Sequence, residues 1–266
     1  MEQSLTVGAK PKIITIVPLI KSTLADYRRH WKKFAYLLLI PLVLSYSGSL
    51  ISFLVGKFYV PGTWPALIFA LSSAAILAII IIFIIFYVRA YTAQFLLVGD
   101  LSQAVDWNNL RDWYRRAAPY FWTVIAISLV YALLALIGLV LFIIPGVIFG
   151  VYYCFTIYAA LFENHKFEGS FGRSRELVRG YWWAVFGRFL AGGALVYIAY
   201  VIIGGLFAGL IWLIAFALHL QSSKDLFTLM YNLLSVFVGL AVGPLSVIYV
   251  YKIYQSLKEI KGAGAE

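Results

Sequence analysis

Six long apolar stretches, separated by short basic ones, constrain this chain more than any other feature. They cover residues 35–55, 65–97, 119–143, 146–162, 183–218 and 226–254. Most reach the roughly 20 residues that an α-helix needs to cross about 30 Å of hydrocarbon. The second and fifth exceed that length, so they tilt, project into water or begin as interfacial helix. Composition excludes a soluble alternative. Of the 266 residues 63% are hydrophobic and 12% charged, with a mean hydropathy of +0.92. A soluble domain carries about 25% charged residues, and no single water-soluble core could hide such an excess of apolar side chains. The expected fold is all-α: one polytopic integral membrane domain over 1–266 with about six transmembrane helices.

The net charge is +10. In a soluble chain that balance would raise nucleic acid as a partner. Here the cations sit at the edges of apolar runs, so the expected partners are membrane lipids, above all anionic headgroups, and not nucleic acid. The one cysteine, Cys154, lies in an apolar run and allows no intramolecular disulfide. The polar segment 1–12 lacks a signal-peptide core, so the first membrane helix is expected to stay in the mature protein.

Between the apolar runs lie three basic stretches with helical periodicity. In the first, Ile20, Leu24, Tyr27, Trp31 and Phe34 form a stripe, with Lys21, Arg28, Arg29, Lys32 and Lys33 around it. In the second, the stripe is Trp107, Leu110, Tyr114, Ala117 and Phe121, with Arg111, Arg115 and Arg116 off it; Asn109 and Asp112 supply an N-cap and an acidic first turn. In the third, Phe167, Phe171, Ser174, Val178 and Trp182 align, with Arg173, Arg175 and Arg179 opposite. Basic helices with aromatic-rich stripes suit the membrane interface. Tyr27-Arg28-Arg29 recurs as Tyr114-Arg115-Arg116, and Phe34 as Phe121 at the same offset. These matches suggest an interfacial helix followed by a hairpin, used three times, over 17–98, 105–163 and 167–254. Between the third and fourth spans Ile144-Pro145-Gly146 reads as a tight turn, with Gly146 free to take a positive φ.

Charge also sets the orientation. Only Lys57 and Lys224 fall on the side opposite the basic stretches, and Arg89 and Arg188 lie within spans near the basic end. That leaves 17 of the 21 Lys and Arg on one side together with both termini. The positive-inside rule makes that side cytoplasmic.

The skeleton Ile144-Pro145-Gly146, Glu163, Gly169, Arg173-Ser174, Leu177, Gly180, Trp182-Trp183 and Phe186 resembles the membrane domain fused to some glycerophosphoryl diester phosphodiesterases. That domain also occurs alone in bacterial and archaeal inner-membrane proteins. The stretch 24–38 fits the opening of the same family, a basic helix leading into the first span. One departure is Tyr158-Ala159-Ala160-Leu161, where the family often has a proline. The resemblance implies a six-helix fold in a prokaryotic inner membrane, and no reaction.

The densest charged cluster is Glu163 with Arg173, Arg175, Glu176 and Arg179. Its structural reading is an ion pair that ties the third interfacial helix to the bundle. Its functional reading is contact with a lipid headgroup or a membrane-protein partner, with Trp182 and Trp183 fixing depth. Arg28, Arg29, Lys32, Lys33, Arg115 and Arg116 are the corresponding candidates in the other two stretches. Arg89 within a span snorkels to headgroups or contacts a substrate. Pro41 and Pro244 each free a carbonyl that must find another donor. The pairs Gly146/Gly150, Gly205/Gly209 and Gly239/Gly243 read first as intramolecular packing and second as a homodimer face.

For catalysis the sequence offers nothing. His30, His165 and His219 are scattered, with no metal spacing and no cofactor motif. No carboxylate lies at membrane depth, which argues against proton-coupled transport. Hydroxyls such as Tyr152, Tyr153, Thr156 and Tyr158 have no matching charged face in other spans. The expectation is a non-enzymatic membrane protein that organises or engages lipids or partner proteins. The alternative is a transporter or lipid-translocating protein.

Overall fold

The computed structural model describes residues 13–58, 66–101, 110–141, 143–163, 165, 167–217 and 224–262. Within them the chain is almost entirely helical and has no strand. The helices are α1 (Ile16–Phe58), α2 (Ala66–Gly99), α3 (Leu110–Ala117), α4 (Phe121–Leu141), α5 (Ile143–Tyr153), α6 (Thr156–Phe162), α7 (Phe167–Val178), α8 (Trp182–Ala217) and α9 (Lys224–Gly262). Among the described residues four stretches are long and apolar enough to cross a membrane: Ser73–Gly99, Arg111–Gly138, Ile144–Phe162 and Trp182–Ile214. The spans read at 35–55 and 226–254 fall within α1 and α9, where most of the side chains lie outside the described residues. Trp107 and Asn109 also lie outside them.

Helices α4 and α5 form an antiparallel hairpin, α9 packs on α1 and α8, and α2 contacts α1, α3 and α9. The buried core is concentrated at one end. It joins Leu19, Phe34, Leu97, Phe155, Leu177, Val185, Ile253, Tyr254 and Leu257. Away from that end large apolar side chains lie open, among them Leu133, Leu136, Leu206, Leu210 and Leu213. A water-soluble monomer rarely exposes so wide an apolar surface. Span Ile144–Phe162 is the central one, with 44% of its most apolar window buried, against 6% for Ser73–Gly99 and for Trp182–Ile214.

The Ile-Pro-Gly segment differs from its expected form. Residues 143–153 are already helix, with Pro145 in the first turn, where its missing N–H costs no helical bond. Gly146 takes no positive φ, and the crowding here falls on Gly138. A Cβ on Gly138 would meet the Gly146 Cα at 2.4 Å, so α4 and α5 touch backbone to backbone there. Gly150 also faces α4, at Tyr131. A Cβ at Gly205, Gly209, Gly239 or Gly243 would meet nothing within 4 Å, so among the described residues these pairs show no such contact.

The three basic stretches take three forms. The first runs unbroken into α1. The second, α3, is followed by a 3-10 turn at Ala118–Tyr120 containing Pro119. The third, α7, ends where Gly180 takes φ +87°, which lets the chain turn into α8. All three meet the same end of the bundle. Ile14 N–H donates to Ser256 Oγ near the end of α9 (3.0 Å), Arg116 lies 3.4 Å from Asp100 at the end of α2, and Arg173 meets Glu163 at the end of α6.

Candidate functional site

Glu163 is the hub of the basic end. Its Oε2 accepts from Arg173 Nε at 2.7 Å, its Oε1 accepts from the Tyr254 hydroxyl at 2.6 Å, and His165 Nε2 lies 3.7 Å away. One carboxylate thus joins α6, α7 and α9. Burial opposes its ionisation, but the hydrogen bonds from Tyr254 and Arg173 and the charges of Arg173 and Lys258 outweigh it, so the carboxyl lies below its usual value. Burial likewise opposes the Arg173 cation, and the bonds to Glu163 and Glu176 outweigh that too, raising its pKa. Arg173 Nη1 donates to Glu176 at 3.0 Å.

The expected common face of three arginines is therefore split. Arg173 is saturated by two carboxylates, while Arg175 and Arg179 are exposed. The reason is helical spacing: residues two apart point to nearly opposite sides, residues four apart to one. Arg28, Arg29 and Lys32 are exposed and Lys33 is half-buried. Arg115 is exposed beside Asp112, and Arg116 lies over the Trp113 ring, 5.4 Å from its centroid. Trp183 is 78% exposed, whereas Trp182 stacks on Phe186 with ring centroids 5.2 Å apart.

On α3 and α7 members of the expected stripes (Tyr114, Ala117, Ser174 and Val178) are buried, whereas on α1 the stripe sits partly out of register. On α1 Leu19 and Thr23, one step round from the stripe, are buried together with Phe34 of the stripe itself, while Leu24 and Trp31 remain exposed. The ion pair from Lys252 Nζ to Asp26 Oδ2, 2.6 Å, holds that rotation. On α3 Trp113, Tyr114 and Ala117 face the bundle; on α7 Ser170, Ser174, Leu177 and Val178 do.

Several interactions at this end leave only faint traces in the sequence. Pro41 removes the N–H that would bond the carbonyl of Leu37, and the Tyr114 hydroxyl donates to that carbonyl at 2.9 Å. Arg188, within a span near the basic end, donates to the carbonyls of Ile14 (2.7 Å), Ile13 (2.9 Å) and Ala184 (2.6 Å). It thereby binds the start of the described chain to α8. Arg89 lies in α2 with a buried Nε that has no partner among the described residues. The span Ile144–Phe162 breaks between α5 and α6, and Ser174 of α7 repairs the break. Its hydroxyl donates to Tyr152 O (2.8 Å) and accepts from Phe155 N–H (3.1 Å).

Beside that break the structure gives the hydroxyls of α5 and α6 the counterparts that the sequence reading did not find. A cleft of about 300 Å³ joins Tyr153, Thr156 and Tyr158 to Tyr91 of α2, Tyr131 of α4 and Ser246 of α9. The signal was present as single hydroxyls in separate spans, and only the packing shows that they converge. Among the described residues no group of three His, Cys, Asp or Glu could hold a metal ion. No protein-family model matches the chain, and no curated protein or solved structure matches it either.

Proposed function

We propose that the protein is a non-enzymatic, multi-pass protein of a prokaryotic inner membrane that engages anionic lipid headgroups, or an anionic partner protein, at its cytoplasmic face. The observation that carries this reading is the separation of two kinds of cation at the basic end. Arg173, Arg188 and Lys252 are consumed by contacts within the chain. Arg28, Arg29, Lys32, Arg175 and Arg179 are exposed, without an ion pair among the described residues, and exposed Trp31 and Trp183 stand beside them. Guanidinium forks suit phosphate oxygens, and indoles settle at headgroup depth. The family resemblance of the segment from Glu163 to Phe186 supports the same setting. The hydroxyl-lined cleft favours the second reading, translocation of a lipid or other apolar compound.

The test places the full chain in nanodiscs of mixed phosphatidylglycerol and phosphatidylcholine and weighs bound lipid by native mass spectrometry. Each cation near an anionic surface contributes about 1 kcal/mol. Converting Arg28, Arg29, Lys32, Arg175 and Arg179 to Gln should therefore lower retained phosphatidylglycerol by about tenfold or more. Unchanged retention would sink the headgroup reading.

A further inference from the structure

We propose that the hydroxyl-lined cleft and the apolar groove beside it form one membrane-embedded site for a single-chain neutral lipid bearing a free hydroxyl, such as a long-chain alcohol. This goes beyond the headgroup reading and does not rest on it.

Two spaces adjoin. The cleft of about 300 Å³ lies against the α5–α6 break. The groove, about 460 Å³, lies between α1, α8 and α9 and is lined by Leu24, Gly193, Leu195, Val196, Val242 and Leu245, among others. Phe189, Ser246 and Val250 line both. A ligand occupying both would be polar at one end and a chain at the other.

The chemistry of the polar end follows from where the protons already point. Four hydroxyls of the cleft spend their hydrogens on backbone carbonyls: Tyr131 on Gly150 O (3.2 Å), Tyr158 on Val247 O (3.0 Å), Thr156 on Tyr153 O (2.8 Å) and Ser246 on Gly243 O (2.6 Å). What each has left to offer is lone pairs. Tyr91, Ser128 and Tyr153, also in the lining, show no hydrogen bond among the described residues and keep a hydrogen to give, so the lining both accepts and donates. A carboxylate or phosphate brings no hydrogen for the four acceptors and meets no cation in the lining. An ammonium would find no Asp or Glu in the lining, and the nearest charges along the chain are cations, Arg188 beside Phe189 and Arg89 two residues before Tyr91. A desolvated cation without a counter-charge is costly at membrane depth. A neutral hydroxyl both donates and accepts, so it fits. Ser128 and Ser246 line the cleft and are exposed, so the site opens sideways, where a ligand dissolved in the bilayer can enter.

The chain's end of the site can be blocked without disturbing the fold. A Cβ at Gly193 would meet nothing within 4 Å, so a side chain there projects into the groove. By contrast, a Cβ at neighbouring Gly192 would meet the Tyr249 ring at 2.5 Å.

The experiment uses the full chain in phosphatidylcholine nanodiscs and two photoreactive hexadecanol analogues, with a diazirine either near the hydroxyl or at the chain end. The head-proximal probe should label residues 127–131 and 153–158, and the chain-end probe residues 193–199 and 242–245. Excess hexadecanol should reduce both by about tenfold, and palmitate or hexadecyltrimethylammonium by less than about twofold. Gly193→Phe should lower chain-end labelling by about tenfold, while Arg175→Gln with Arg179→Gln leaves it unchanged. Labelling spread over Leu206, Leu210 and Leu213 and insensitive to hexadecanol would overturn the proposal. So would equal competition by palmitate or by the ammonium. The wild-type map and its competition decide the matter even if Gly193→Phe accumulates poorly.

Discussion

At Pro41 and Leu37 the cost of a proline within a helix is met by a residue 77 positions away. The Leu37 carbonyl, freed because Pro41 has no N–H, is deeply buried and has Tyr114 as its donor. Removing one partner of a buried hydrogen bond costs about 1–3 kcal/mol. Tyr114→Phe should therefore destabilise the protein by about 2 kcal/mol in a denaturation series in detergent. In a Pro41→Ala background the backbone supplies the donor again, and the penalty should shrink to a fraction of that. An equal penalty in both backgrounds would show that packing, not the carbonyl, is responsible. Glu163 is the titrating counterpart. Its carboxyl holds its proton less tightly in the folded protein than in the unfolded chain. Its stabilising contribution is therefore complete above the ordinary carboxylate value of about 4.3 and is lost as pH falls through the lower native value. The thermal midpoint of wild type should exceed that of Glu163→Gln at neutral pH, and the gap should close on acidification below about pH 4. A gap independent of pH would mean that the cluster is held by shape alone.

The all-helical class and four of the apolar spans were legible in the sequence, because length and apolarity are enough to demand helices. Their faces were less so. A stripe such as Ile20, Leu24, Tyr27, Trp31 and Phe34 announces an apolar surface, but lipid and protein satisfy it equally. Only the packed structure shows that Leu19 and Thr23 turn inward while Leu24 and Trp31 turn out. The same limit hid the cleft, since hydroxyls scattered over five helices carry no periodic signal. The Pro145-Gly146 segment was misread because a turn and the first turn of a helix share the same residues, and steric crowding at Gly138 decides between them. That crowding is testable. Gly138→Ala should disrupt the α4–α5 hairpin and lower the thermal midpoint, while Gly205→Ala, in open space, should be neutral or slightly stabilising through helix propensity. Ser174→Ala removes both bonds that seal the α5–α6 break, and hydrogen exchange at the Phe155 amide should accelerate.

Over the whole molecule, charge and packing follow one axis. The buried core lies at the end where the basic stretches gather, and apolar side chains open outward away from it. A protein in water could not leave such a surface bare, whereas in a bilayer lipid covers it at no hydrophobic cost. On the proposed reading the basic end faces the side where anionic lipid and the positive-inside bias place Lys and Arg. Loop charges alone predict this orientation, and the last prediction tests it. The start of α1 and the end of α9 lie together at the basic end, joined by Ile14 and Ser256, and on the proposed reading that end faces the cytoplasm. A phosphatase reporter active only outside the cytoplasm, fused after Glu266, should stay silent, and a cytoplasm-active reporter at the same position should work. A fusion placed between α8 and α9, at Lys224, should give the reverse result. If the phosphatase is active at Glu266, the basic end faces outward or the number of spans is odd. Either outcome would remove the anionic inner leaflet as the surface that Arg28, Arg29, Lys32, Arg175 and Arg179 meet.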